Sequence, residues 1–165
     1  MATGLLMLVV GRATKIQDLL MSEDKEYVGT VMLGSTTSTQ DAEGETLQEW
    51  EVPEFSEEKV RAVFDKFTGA FEQIPPMVSA IKKDGVPLYK LARKGQEVKR
   101  DPRPVHVTSY ELNRIALPEV GFTVNCSKGF YVRTYAHDIG AALECGGHLS
   151  ALRRTRSGSS ILRTR

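Results

Sequence analysis

The chain has 165 residues, 41% of them apolar and 26% charged, a size and balance that fit one globular domain able to bury a sizeable core. Its longest apolar stretch, Leu5 to Val10, falls far short of the roughly 20 residues that a membrane-spanning helix needs, which excludes that class. The formal net charge of +1 conceals a polarity: residues 1–75 carry 6 Lys+Arg against 14 Asp+Glu, a balance of −8, while residues 76–165 carry 16 against 7, a balance of +9. A basic half of this kind fits a polyanionic partner, and charge alone fits two solvated faces of opposite sign equally well.

Other classes recede on composition. No basic residue precedes the apolar run at the N-terminus, and Arg12 and Lys15 follow it, which is not the layout of a secretory signal; a cytoplasmic address is the default. Cys126 and Cys145 are too few and too irregularly placed for a disulfide framework or a zinc site, and read as buried thiols. His106, His137 and His148 form no ligand spacing, so no metal is expected.

In chain order, Ala13 to Met21 places Ile16, Leu19 and Leu20 at helical spacing and predicts a short amphipathic helix. Glu26 to Leu33 alternates Tyr27, Gly29, Val31 and Leu33 with Val28, Thr30 and Met32, which predicts a central strand buried on both faces. Gly34 to Glu45, rich in Thr, Ser, Gly and Asp, reads as a loop suited to a substrate. Ser56 ahead of Glu57 and Glu58, with Val60, Val63, Phe64 and Phe67 on one face, predicts an N-capped helix ending near Gly69.

Pro75-Pro76 then opens a basic stretch to Pro104 with thin apolar content. It predicts a mobile surface excursion at about 76–104, with a short helix around Leu88 to Arg93. Val105 to Ile115 and Val120 to Cys126 are β-branched and aromatic, joined through Leu117-Pro118, and predict an antiparallel pair. Tyr131 to Leu143 predicts a helix stopped by Gly146-Gly147. Strands and helices mix without regular βαβ alternation, which favours α+β.

The run Cys126-Ser127-Lys128-Gly129-Phe130-Tyr131-Val132-Arg133-Thr134, then Asp138-Ile139-Gly140, Gly147-His148-Leu149 and Leu152-Arg153-Arg154-Thr155, resembles the TruB family of tRNA pseudouridine synthases. Upstream, Ala2-Thr3-Gly4-Leu5-Leu6, Gly11 to Lys15, Lys25-Glu26-Tyr27, Thr37 to Gly44 and Gln73 to Lys82 match the same pattern in order. The resemblance covers nearly the whole chain. It implies a mixed, mostly antiparallel sheet flanked by helices, with RNA in a cleft across it. It also implies an isomerase that flips a T-loop uridine of tRNA out of its stack, a step chemistry on a stacked base requires. The implied partner is the tRNA T-arm, with no organic cofactor, no metal and no membrane, and the full-length protein is expected to be a monomer.

The implied chemistry breaks the N1–C1′ glycosidic bond, turns the uracil and rejoins it through C5, with a carboxylate acting at the sugar. In the family that carboxylate lies in Gly-Thr-Leu-Asp-Pro-x-Ala-x-Gly. Aligned on Ala2-Thr3-Gly4, Met1 takes the variable position, and the Asp and Pro positions fall upstream of it. The expectation is a single catalytic-domain fragment, 1–165, truncated at its N-terminus, without the small C-terminal RNA-binding (PUA-like) domain of many members. Such a chain binds RNA without turning uridine over, and its alternative is a non-catalytic RNA-binding or RNA-folding protein using the same cleft. Asp24, Asp41 and Asp138 are the other acids that could stand in the empty place.

By the same resemblance Tyr27 stacks on the flipped uracil, although strand position alone fits an aromatic packed in a sheet equally well. Arg133 pairs with the catalytic aspartate, or, without it, takes a phosphate or a nearby acid. Leu152 lines the uracil pocket or packs within a helix. Lys15, Lys82, Arg93, Lys128, Arg153 and Arg154 are the expected phosphate contacts, cations that position RNA without reading its sequence.

Overall fold

The computed structural model describes residues 2–83, 85–92, 95 and 98–162, with only the backbone at Lys82 and Lys83. Period-two patterns build its main sheet. Strand β1 is Ala2–Gly4, β2 Lys25–Leu33, β5 Gly69–Gln73, β8 Arg103–Ala116, β9 Glu119–Cys126 and β10 Gly147–Ser157, and their order across the sheet is β1-β10-β2-β9-β8-β5. Every neighbouring pair is antiparallel except β1 with β10, and β11 (Ser160–Ile161) folds back on the end of β10. Strand β9 shows the rule most plainly: Val120, Phe122, Val124 and Cys126 are buried and the residues between them are not.

The buried face of the sheet is closed by helices α2 (Glu57–Lys66) and α4 (Val132–Ala142). Helix α2 starts where Ser56 Oγ accepts the Lys59 N–H at 3.2 Å, and it buries Val60, Val63 and Phe64, the apolar face read from the sequence. Helix α4 buries Tyr135, Ala136 and Ile139, and the Tyr135 ring meets Phe64, Phe122 and Phe130 at centroid distances of 5.7, 5.6 and 5.2 Å. A methyl group on Gly140 would collide with the Gly147 backbone, so glycine there lets α4 lie directly on the start of β10.

The α+β reading stands: a mixed, mostly antiparallel sheet with few helices. The 105–126 pair is present, with a cis Leu117–Pro118 peptide in its connection. Three local readings change. Strand β2 is central, but only Gly29, Val31 and Leu33 are buried; Val28 is 36% exposed, because the other face opens onto a hollow lined by Thr3, Thr30, Ser150 and Arg153 rather than onto a helix. The 13–21 segment is split into a 3-10 turn (Gly11–Ile16) and α1 (Gln17–Ser22), with Ile16 and Leu19 exposed instead of packed; its first turn lacks a side-chain cap. The 34–45 loop contains β3 (Ser35–Thr37), which pairs with β4 (Thr46–Glu49) as a hairpin whose turn carries Thr39, Gln40 and Asp41.

The basic excursion holds a second hairpin, β6 (Lys82–Lys83) with β7 (Val86–Pro87), followed by α3 (Leu88–Ala92), in which Leu88 is buried and its N–H donates to the Ile81 C=O at 2.7 Å. At its root the side chain of Gln73, 1% exposed, clasps the main chain of Tyr131: Nε2 donates to the Tyr131 C=O at 3.3 Å and Oε1 accepts the Tyr131 N–H at 3.0 Å. Tyr131 is the residue from which α4 starts, so this amide sets where the helix begins. Gln73→Leu leaves the Tyr131 N–H without its partner, while the Tyr131 C=O keeps only the Tyr135 N–H at 3.0 Å, and is expected to lower stability by about 1–3 kcal/mol. Urea denaturation measures it, and a midpoint indistinguishable from the unsubstituted chain contradicts the assignment.

Candidate functional site

A cavity of about 350 Å³ lies where β1, β2, β10 and the start of α4 meet. Its lining includes Ala2, Tyr27, Asp41, Phe130, Tyr131, Arg133, Leu149 and Leu152, drawn from segments that are far apart in sequence. The cross-strand register explains the meeting. Ala2 is the Cα partner of Leu152 on one side of β10, and Tyr27 is the partner of Arg154 on the other. Gly4, at φ 103°, stands against the Arg154 backbone where no Cβ fits, so β1 can close on the strand.

Tyr27 offers a ring at the cavity wall, and burial, followed by the neighbouring Cys126, raises its phenol above the ordinary tyrosine value. Near pH 7 the ring is therefore neutral, which suits stacking on a base; the adjacent Arg154 pulls the other way, toward the phenolate. Arg154 Nε also donates to the Leu5 C=O at 2.7 Å, fixing the chain just after β1.

Arg133 is the second residue of α4, and its guanidinium joins three segments. Nη1 reaches Asp41 Oδ2 at 3.3 Å and the Thr39 C=O at 3.3 Å, and Nη2 donates to the Val78 C=O at 2.6 Å. Both partners of the ion pair are 23% exposed, so solvent only partly screens it. Asp41 is further held by the Thr39 hydroxyl at 2.5 Å and the Glu43 N–H at 3.0 Å, both on Oδ1. Of the three acids weighed from sequence, Asp41 is the one that meets Arg133; Asp24 and Asp138 do not line the cavity.

Leu152 sits on strand β10, which corrects the alternative of helix packing: bulges between Leu149 and Ala151 and between Arg154 and Arg156 make the spacing look helical. Lys128, on the turn before α4, lines a second hollow with Arg103, Asp18 and Tyr131, adjoining the first through Tyr131. Lys15 is exposed in the 3-10 turn, and Arg153 is exposed on the open sheet face, opposite in side to Arg154. Arg93 and the side chain of Lys82 lie outside the described residues. Sequence reasoning missed Gln40, Thr134 and the Thr39 and Val78 carbonyls; a main-chain carbonyl leaves no mark in a sequence. Among the described residues, no group of three or more His, Cys, Asp or Glu side chains is arranged to hold a metal.

Comparison with known families matches residues 1–132 to the TruB family pseudouridylate synthase N-terminal domain and residues 133–164 to the tRNA pseudouridylate synthase B C-terminal domain. The chain belongs to the TruB family. It is 57% identical over 155 residues to tRNA pseudouridine synthase B of Opitutus terrae, covering 94% of this chain and 64% of that protein. It is 48% identical over 157 residues to the protein of the same name from Syntrophotalea carbinolica, covering 95% of this chain and 51% of that one. The chain thus spans about half to two-thirds of the length of these relatives. Among solved structures it is similar to a chain of a Cbf5-Nop10-Gar1 complex, with TM-score 0.68 and 31% identity over 95% of this chain and 37% of that one. It is also similar to a chain of an H/ACA RNP bound to a substrate RNA containing 2′-deoxyuridine, with TM-score 0.59 and 27% identity over 91% of this chain and 33% of that one. The two TruB segments meet at Val132 and Arg133, inside the first turn of α4, and both contribute strands to one sheet.

Asp138, half-buried on α4, has its carboxyl pushed up to about 6 by burial. The folded chain then holds this proton to higher pH than the unfolded chain, so this residue's contribution to stability falls as pH rises from about 4 to about 6. Asp138→Asn is expected to remove that slope and, after screening at a partly exposed site, to stabilise the chain at pH 7 by about 1 kcal/mol. Urea midpoints at pH 4.5 and pH 7 for both chains check this; an unchanged pH dependence in Asp138→Asn contradicts it.

Proposed function

We propose that residues 1–165 form the body of a tRNA pseudouridine synthase that isomerises a T-loop uridine in the cytoplasm, with the flipped base in the cavity between Tyr27, Arg133 and Leu152. The observation that carries this reading is the convergence of Ala2, Tyr27, Arg133 and Leu152 on one cavity, the positions at which the TruB resemblance puts the uracil and its carboxylate. In the aligned motif the aspartate position falls three residues ahead of Ala2, on the segment that leads into the cavity wall.

The chemistry follows from these positions. Eversion brings the uridine against the Tyr27 ring, and stacking repays part of the lost stacking in the loop. The carboxylate acts at the sugar while the N1–C1′ bond breaks; the uracil turns, C5 bonds to C1′ as the carboxylate is released, the C5 proton leaves to solvent and N1 takes up a proton. Arg133 orients the carboxylates around it through charge-assisted hydrogen bonds. Lys128, Arg103 and Arg153, beside the cavity and on the open face, offer cations to hold phosphates.

Taken alone, residues 1–165 bind the T-arm without turnover, since Asp41, the carboxylate beside Arg133, is already engaged by Arg133, Thr39 and the Glu43 N–H. The test is tritium release from C5-labelled uridine in a T-arm hairpin, using residues 1–165 beside a version extended upstream through Gly-Thr-Leu-Asp-Pro. Release by the extended chain only, with salt-dependent hairpin binding by both, is the expected result. Release by residues 1–165 alone assigns the chemistry to another carboxylate, and binding without release by both favours the non-catalytic RNA-binding reading.

A further inference from the structure

Gln40 has φ 64°, the left-handed region, where a non-glycine residue with a long side chain persists only if its surroundings hold it. Three contacts do so. Its N–H donates to the Thr37 C=O at 3.2 Å, and its C=O accepts the Leu149 N–H at 3.0 Å. Its side-chain Oε1 accepts the Thr134 hydroxyl at 2.9 Å, and Thr134 is 2% exposed. The Ala42 N–H returns to the Leu149 C=O at 3.0 Å, so residues 40–42 are laid along β10 as well as against α4.

The placement of this bond matters because its neighbours form the site. Asp41 follows Gln40 and Arg133 precedes Thr134, so the Gln40–Thr134 and Asp41–Arg133 contacts are adjacent rungs between the loop and the helix. The ion pair is long, at 3.3 Å, and partly exposed, and fixes direction weakly. The neutral bond is shorter, and its donor is buried, so breaking it strands a hydroxyl.

We propose that Gln40 is a positioning residue for the isomerisation: by clasping Thr134 it sets the loop in register on α4, so that the Asp41 carboxylate meets Arg133 at the uridine cavity. This rests on the reading of that cavity as the uridine site. Slippage of the loop by one residue turns the Asp41 side chain away from Arg133 and leaves the guanidinium to drift toward whichever carboxylate remains.

The test uses the upstream-extended chain, measuring tritium release, hairpin affinity and melting for Gln40→Gly, Thr134→Val, their combination, and Thr134→Ser. Glycine tolerates the left-handed backbone, so Gln40→Gly removes the side-chain bond without adding strain. Each single loss is expected to lower kcat about tenfold, with KM and hairpin Kd changed less than about twofold, as for misplacement rather than lost binding. The double variant is expected to be no worse than either single one, and Thr134→Ser, which keeps the hydroxyl, recovers most of the turnover lost in Thr134→Val. Additive losses, or losses that vanish once activity is scaled to the folded fraction, overturn the proposal. No release by the unsubstituted extended chain removes the uridine-site reading and the inference together, whereas full release with an unchanged Gln40→Gly kcat removes the inference alone.

Discussion

The guanidinium of Arg133 is the constraint on which the site depends. It projects from the first turn of a helix packed on the sheet, and in one planar fork it ties the β3–β4 turn through Thr39 and Asp41 to the root of the basic excursion through Val78. A lysine could hold one of these partners as a point charge but lacks the geometry for all three. The helix is itself fixed at its start by the Gln73 amide and along its length by the Tyr135 aromatic cluster. Rigid packing behind α4 therefore becomes precision at the cavity.

The sheet supplies the opposite wall by register. Two strands flank β10, and each brings one residue to the cavity: Ala2 from β1 and Tyr27 from β2. Because side chains alternate along β10, Leu152 and Arg154 share one face and Arg153 takes the other. The Arg153-Arg154 pair, alike in sequence, thus has two environments. Arg154 is engaged at Leu5 and beside Tyr27, whereas Arg153 opens to solvent.

What the sequence revealed follows the same physics. Strand β9 was legible because its apolar residues keep period two, β8 because its β-branched and aromatic composition survives two bulges, and α2 because Ser56 and two acids announce its start. Strand β10 was not, since its bulges place Leu149 and Leu152 three apart and mimic a helix. The β3–β4 hairpin was hidden by its Thr- and Ser-rich composition, and β5 by its shortness. Tyr27, Arg133 and Leu152 were named from linked motifs and do meet in space. Asp41 as the partner of Arg133, and Gln40 as the partner of Thr134, came only from the fold, since each pair is separated by more than ninety residues and one of the four contacts on Arg133 and Thr134 hinges on a left-handed glutamine.

The central claim, that the Tyr27–Arg133–Leu152 cavity receives an everted uridine, is tested most directly by fluorescence of a T-arm hairpin carrying 2-aminopurine beside the target uridine. Eversion unstacks the reporter, so residues 1–165 are predicted to raise its emission on binding, with no need for turnover. Leu152→Trp, which fills the cavity, is predicted to abolish the rise while leaving hairpin affinity within a few-fold. An undiminished rise with Leu152→Trp would place the everted base elsewhere and contradict the account.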